Sequence, residues 1–229
     1  MHNKNNSLCK LGGSFSILVG VVYILIGITY LLLPNELQSG EPSQLFSSIS
    51  RNSKPILLLF LEFALSAVFA LAAVSAISEV VRSESEGWVD WTRNLAYVGF
   101  AVTAINSFNS IVHVPERAAA YVAGDASTQA AITAICTELD PAGWLRFGGV
   151  GLWLLIVSIL ALRGNRLPKV LAYVGIVFAI FNWLAVAGYV IHMRVLVALS
   201  AGLGGIILAP VWYIWIGLRL RRQDNLSMK

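Results

Sequence analysis

An all-α, polytopic membrane helical bundle with six transmembrane helices is the fold class this sequence predicts, on three observations. Six apolar runs divide the chain, roughly 14–33, 56–78, 95–115, 145–162, 167–190 and 195–218. A helix rises about 1.5 Å per residue and the hydrocarbon core is about 30 Å thick, so about 20 residues cross it. Only 12% of the 229 residues are charged, against about 25% in soluble domains, and almost all charges lie between the runs. Lys and Arg are split unequally between alternate gaps, as membrane topology requires. A closed strand barrel would need alternating polarity in segments of about ten residues, and the runs do not alternate.

The elements follow in order. The first run, 14–33, is preceded by Lys4 and Lys10 but exceeds a signal-peptide apolar region. Leu31-Leu32-Leu33-Pro34 offers no small-residue cleavage site, so the run is predicted to be a retained anchor. Pro34–Pro55 is rich in Ser, Asn and Gln and reads as a flexible outer loop. The second run carries a carboxyl, Glu62. The loop Arg82–Arg93 sets Trp88 and Trp91 among Glu84, Glu86 and Asp90, the composition of an interfacial belt. The third run is predicted to end near Pro115.

The long connection Glu116–Gly143 contains Ile132, Ile135, Cys136 and Leu139 at helical spacing. Asp125 or Ser127 is placed to cap, and Pro141 to terminate. A short amphipathic helix over 127–139 on the outer surface is predicted, in the loop between spans three and four. Spans four and five are joined by a tight basic turn, Arg163–Lys169, in which Pro168 suits the start of the next helix. No gap is long enough for a separate globular domain, so residues 1–229 form one integral membrane domain.

Topology rests on the basic residues. Lys4, Lys10, Arg82, Arg93, Arg163, Arg166, Lys169, Arg219, Arg221, Arg222 and Lys229 would lie on one side, 11 in all. Arg51, Lys54, Arg117, Arg146 and Arg194, 5 in all, would lie on the other. The positive-inside rule then puts both termini in the cytoplasm of a cell-membrane, multipass protein. The net charge of +4 follows from that rule, and no soluble basic face for nucleic acid exists. Cys9 and Cys136 fall on opposite sides and form no C-x-x-C, which argues against thiol redox chemistry.

An internal echo is visible. Leu95-Ala-Tyr-Val-Gly99 opens span three and Leu171-Ala-Tyr-Val-Gly175 opens span five, with Asn106 and Asn182 at equal offsets. Gly148-Gly149 and Gly204-Gly205 stand at equal distances from Leu162-Arg163 and Leu218-Arg219. Hairpins three–four and five–six therefore read as a parallel duplication or as chance within a restricted alphabet. The duplication predicts that Asn106 and Asn182 lie near the midplane, point into the bundle, and belong to neighbouring spans.

Polar groups at bilayer depth supply the candidate site. Asn106, Asn109 and His113 fall on one face of span three, and His192 ends span five at the outer boundary. With Glu62 and Asn182 they form the predicted ligand-binding set, around an outward-opening pocket lined by Glu62, Asn109, His113 and His192. The plainer account is that the asparagines bond across helices at about 1 kcal/mol each and the histidines sit among headgroups. Glu62, His113 and His192 have no metal-ligand spacing, and no hydrolase, zinc or phosphate-loop motif occurs. No catalytic residue, metal or cofactor is assigned.

The segment Trp153-Leu-Leu…Arg163-Gly-Asn-Arg-Leu-Pro168, then Tyr173-Val-Gly-Ile, resembles the span–turn–span of a bacterial family of small multipass proteins. The ending Ala209-Pro-Val-Trp-Tyr-Ile-Trp-Ile-Gly-Leu-Arg219 is similar to that family's last span. The family is known as a domain of unknown function, family 4386, and the likeness covers mainly residues 148–222. It implies a six- or seven-span bundle and carries no activity or catalytic residue.

Three functional classes remain, in this order. The first is a non-enzymatic binding or accessory protein for a lipid or small apolar molecule. The second is a small-molecule or ion transporter, and the third an intramembrane enzyme. The expected partners are membrane lipids and a small apolar ligand or another membrane protein.

Overall fold

A computed structural model of the chain describes residues 2–135 and 137–227, with side chains over 7–135 and 137–222. Cys136, Lys229 and the side chain of Lys4, which entered the reading above, lie outside them. All regular structure among the described residues is helical.

Among the described residues six helices are long and apolar enough to span a membrane: Ser7–Leu32, Lys54–Glu84, Glu86–Ala123, Trp144–Arg163, Lys169–Val190 and Arg194–Arg222. Each contains one predicted run nearly whole. Their even number places both termini at one end of the bundle; the opposite end is called distal below. The first span belongs to α1 (His2–Leu32), followed by short α2 (Asn35–Gln38) and α3 (Pro42–Arg51). The second is α4 (Lys54–Val81) with a 3₁₀ turn, and the third is α5 (Glu86–Ala123). After α6 (Ala126–Ala134), the fourth span joins a π-helical turn, Trp144–Gly149, to α7 (Val150–Arg163). The fifth is α8 (Lys169–Val190). The sixth joins α9 (Arg194–Ser200), a π-helical stretch Ala201–Leu208, and α10 (Ala209–Ser227).

Spans adjacent in sequence are adjacent in space, and the sixth closes against the first. Short connections favour this ring, because they leave consecutive antiparallel helices little choice of neighbour. Small residues then set the spacing. Gly12 meets Ala76 of α4, and Gly13 and Gly217 bring the backbones of spans one and six together. The half of the bundle near the termini is filled by Val74, Ile77, Trp153, Leu154, Trp212 and Ile216, all below 1% exposed. Within it the Trp153 indole N–H donates to Ser78 at 3.0 Å.

Two expectations about the distal end need correction. Pro34–Pro55 is not a flexible loop, because α2 and α3 together occupy most of it. Pro42 suits the first turn, and Leu45, Phe46 and Ile49 share one face. Phe46 and Ile49 are buried, with Phe46 4.8 Å from the Tyr121 ring. Nor does span three stop at Pro115. The missing N–H costs one hydrogen bond, but α5 continues to Ala123 and buries Ala118 and Tyr121. Tertiary packing on the far side of the proline outweighs the local penalty.

The short helix predicted between spans three and four is present, but shorter than predicted. Asp125 caps it, accepting from the Thr128 amide at 2.8 Å. That bond, then the one from the Thr128 hydroxyl, holds the Asp125 carboxyl below the usual carboxylate range. The helix ends at Ala134 rather than running to Leu139. The Arg117 guanidinium takes the carbonyls of Ile132 and Ile135 at 2.7 and 3.1 Å, and Ile135 is already extended. At the termini end, the turn after α7 is clipped to the preceding loop by Arg166, which pairs with Glu84 at 2.8 Å.

The predicted adjacency of spans three and five does not occur, because span four packs against both and lies between them. The echo itself has a structural counterpart. Gly148-Gly149 and Gly204-Gly205 both lie in π-helical turns.

Candidate functional site

The sixth span is built in two directions. Its inner part, α10, packs on α1, whereas its distal part, α9, packs on α8. Small residues permit the second contact. A side chain at Gly188 would come within 2.8 Å of Val197, and one at Gly204 within 3.2 Å of Phe181. The π stretch between α9 and α10 makes the change of direction, as wide turns inside helices commonly do near functional sites. At the other end, Ile191–Met193 turns sharply, with His192 in the left-handed region at φ 55.

Because α9 leans toward span five, a cavity of about 840 Å³ opens between it and spans one and two. Its wall is formed by Ile26 and Tyr30 of α1, Leu59 and Phe63 of α4, Gly188, Tyr189, His192 and Arg194, and Val197, Ala198, Ala201, Gly202 and Ile206 of the sixth span. A β-carbon at Gly202 would meet nothing within 4 Å, so the cavity is open at that point. The wall is mainly aliphatic and aromatic, and its one formal cation is Arg194.

Glu62 lies beside this cavity. It is 7% exposed and accepts from the Thr29 hydroxyl at 2.9 Å across the interface of spans one and two. Its second oxygen, Oε2, is buried without a hydrogen-bond partner. Each member of the pair adjoins a wall residue in sequence, Thr29 beside Tyr30 and Glu62 beside Phe63.

The other predicted residues are distributed differently. Asn106, Asn109 and His113 share a separate small cavity of about 60 Å³ with Arg117, Thr137 and Glu138. The Asn106 side-chain oxygen accepts from the Leu139 amide at 3.1 Å, while its Nδ2 is buried without a partner. His113 and Asn109 are exposed, and His113 stands 3.4 Å from Glu116. Asn182 is buried between spans four and five, against Gly151, and donates to the Phe178 carbonyl of its own helix at 2.9 Å. Asn106 and Asn182 are each 8% exposed, so both point into the bundle as predicted. Asn106 is not midway through, however. Helix α5 begins at Glu86, nine residues before Leu95, and span four starts opposite Gly99. Asn106 therefore sits level with the distal loop.

The sequence thus supplied two groups of polar residues, and the fold separates them. His192, with Glu62 behind the wall, belongs to the large cavity; the span-three stripe belongs to the small one. Among the described residues no three His, Cys, Asp or Glu side chains are grouped to hold a metal. Sequence reasoning missed Thr29 and Arg194. Thr29 had no signal beyond being polar within an apolar run, and Arg194 entered only as one charge in the topology count.

A further polar element was also missed. Asp140, 6% exposed, accepts the backbone N–H groups of Trp144, Leu145 and Arg146 at 2.9, 2.8 and 2.9 Å. These are donors that a helix start leaves without internal partners. Asp140 fixes where span four begins.

No curated protein and no solved structure matches the chain. A family model, the domain of unknown function DUF4386, matches residues 17–220, a stretch that reaches into all six spans and extends well beyond the second half in which the resemblance was first visible. This integral, multipass membrane protein belongs to the DUF4386 family.

Proposed function

We propose that the protein is a non-enzymatic binding or accessory protein of the cell membrane, and that the large cavity beside span six receives a lipid or small apolar molecule. The observation that carries this reading is the cavity itself. Its volume falls within the about 300–1,000 Å³ of ordinary small-molecule sites, and its wall is apolar with few polar groups. Filling it tests the reading. Gly202→Phe adds a ring where a β-carbon meets nothing within 4 Å, so folding should be unaffected. Gently extracted wild-type protein is expected to carry a ligand in native mass spectrometry, and the Gly202→Phe protein to lack it. Equal occupancy in the two would refute the cavity as the site.

Transport is the second reading, favoured by Glu62. A buried carboxyl with one unpartnered oxygen beside a cavity is a recurrent feature of ion and substrate pathways. Substrate-dependent flux in proteoliposomes would select transport, whereas a bound ligand without flux selects binding.

In this reading the cavity opens outward, since the 11-to-5 distribution of Lys and Arg assigns the termini end to the cytoplasm. Single cysteines are introduced into a chain in which Cys9 and Cys136 are serine. A cysteine at exposed Ser43 is expected to react with an impermeant thiol reagent outside intact cells, and one at exposed Gly87 to stay unlabelled. The opposite pattern would turn the cavity toward the cytoplasm.

A further inference from the structure

The cavity is polarised along the membrane normal. Wall residues of the sixth span run from Arg194 at the distal surface to Ile206, 12 positions later, which is about 18 Å at 1.5 Å per residue. That is about the depth of one leaflet of a 30 Å hydrocarbon core. The surface end carries Arg194 and His192, and the deep end Ile26 and Ile206. The distribution matches an amphiphile with an anionic head and one chain. A volume of about 840 Å³ suits one such molecule.

Arg194 differs from the other arginines near this end. Arg117 is held by the carbonyls of Ile132 and Ile135, and Arg146 pairs with Glu138 at 2.8 Å. Among the described residues Arg194 has neither an ion pair nor a hydrogen bond. Its Nη1 lies near Gly40, where φ is +70 and a β-carbon would stand 3.2 Å from it. A guanidinium kept exposed at the mouth of an apolar cavity presents a planar fork to a two-oxygen anion. One guanidinium balances one charge. That favours a carboxylate over a phosphomonoester, which carries about −1.5 to −2 at neutral pH.

We propose that the ligand is a long-chain carboxylate, its head on the Arg194 guanidinium and its chain between spans one, two and six; this rests on the ligand-binding reading above. Glu62, bonded to Thr29 one turn from Ile26 at the deep end, then lies away from the head, beside the chain.

The test uses the full chain in nanodiscs of neutral lipid, with a fluorescent polyene fatty acid, its methyl ester and a lysophosphatidate as probes. The acid is expected to bind saturably and the ester at least about tenfold more weakly, as loss of a charge-assisted contact implies. Arg194→Gln should weaken the acid by about the same factor and leave the ester unchanged, while Arg194→Lys keeps part of the affinity. Acid and ester binding alike, or an indifferent Arg194→Gln, would overturn the carboxylate site yet leave an apolar cavity that Gly202→Phe still blocks. Tighter binding of lysophosphatidate than of the acid would overturn the choice of head group. Failure of all three probes to bind would overturn this inference, while the ligand-binding reading would still be decided by the occupancy of wild type against Gly202→Phe.

Discussion

Gly217→Leu is expected to destabilise the bundle by about 3 kcal/mol, because spans one and six meet there backbone to backbone. A β-carbon at Gly217 would sit 2.6 Å from the Gly13 carbonyl oxygen and 3.0 Å from the Ile17 amide nitrogen. Neither can rotate away as a side-chain tip does, so the two helices must separate. The contact is the one that closes the ring, and separation there exposes Ile17 and Leu220 on both sides of the seam. By the usual relation for chains of this size, the melting temperature in detergent should fall by about 6–12 °C. Gly87→Leu is the control, since a β-carbon at Gly87 meets nothing within 4 Å. Equal melting of the Gly217→Leu protein and wild type would show that the first and last spans do not hold the bundle closed.

Asp140→Ala is expected to cost a similar amount, about 3 kcal/mol, by a different mechanism. Three backbone N–H groups at the start of span four lose a buried carboxylate at 2.8–2.9 Å. Each charge-assisted bond contributes about 1.5–3 kcal/mol net, and water entering the vacated space recovers part of the sum. Asp140→Asn keeps one acceptor oxygen and should fall between. Hydrogen exchange at the amides of residues 144–146 separates this from general loosening: those amides should lose protection first. Unchanged protection in Asp140→Ala would mean that the turn is held by its other contacts.

The spans were legible because a single strong variable, apolar length against bilayer thickness, determines them. What lay outside the membrane was less so, for a specific reason. In Pro34–Pro55 the abundance of Ser, Asn and Gln hid a helical spacing of Leu45, Phe46 and Ile49 that was present in the sequence; composition was weighed above periodicity. Pro115 was read by its local effect, and the packing of Ala118 and Tyr121 against α3 that overrides it comes from residues some 70 positions away. The candidate site was legible one residue at a time. Glu62, His192 and the Asn106–His113 stripe were singled out, but their division between two cavities follows from the lean of α9 toward α8. That lean depends on close approaches at Gly188 and Gly204, which a glycine in a membrane span does not announce individually. Arg194 was visible as a charge and unreadable as a site without the cavity beside it.

The two π-helical turns also bear on how the length of this chain can change. Removing one residue from an ordinary helix rotates everything beyond it by about 100° and turns its buried face toward lipid. A π turn already contains one residue more than the α-helical path needs. A deletion there is absorbed when the wide i→i+5 ring relaxes to i→i+4, and the helix beyond keeps its facing. Spans four and six each carry such a reserve, at 144–149 and 201–208, whereas α7 and α8 have none. Single-residue gaps among relatives of this protein should therefore collect at these two glycine-rich turns, and an alignment that places them elsewhere in the spans would be out of register with the fold.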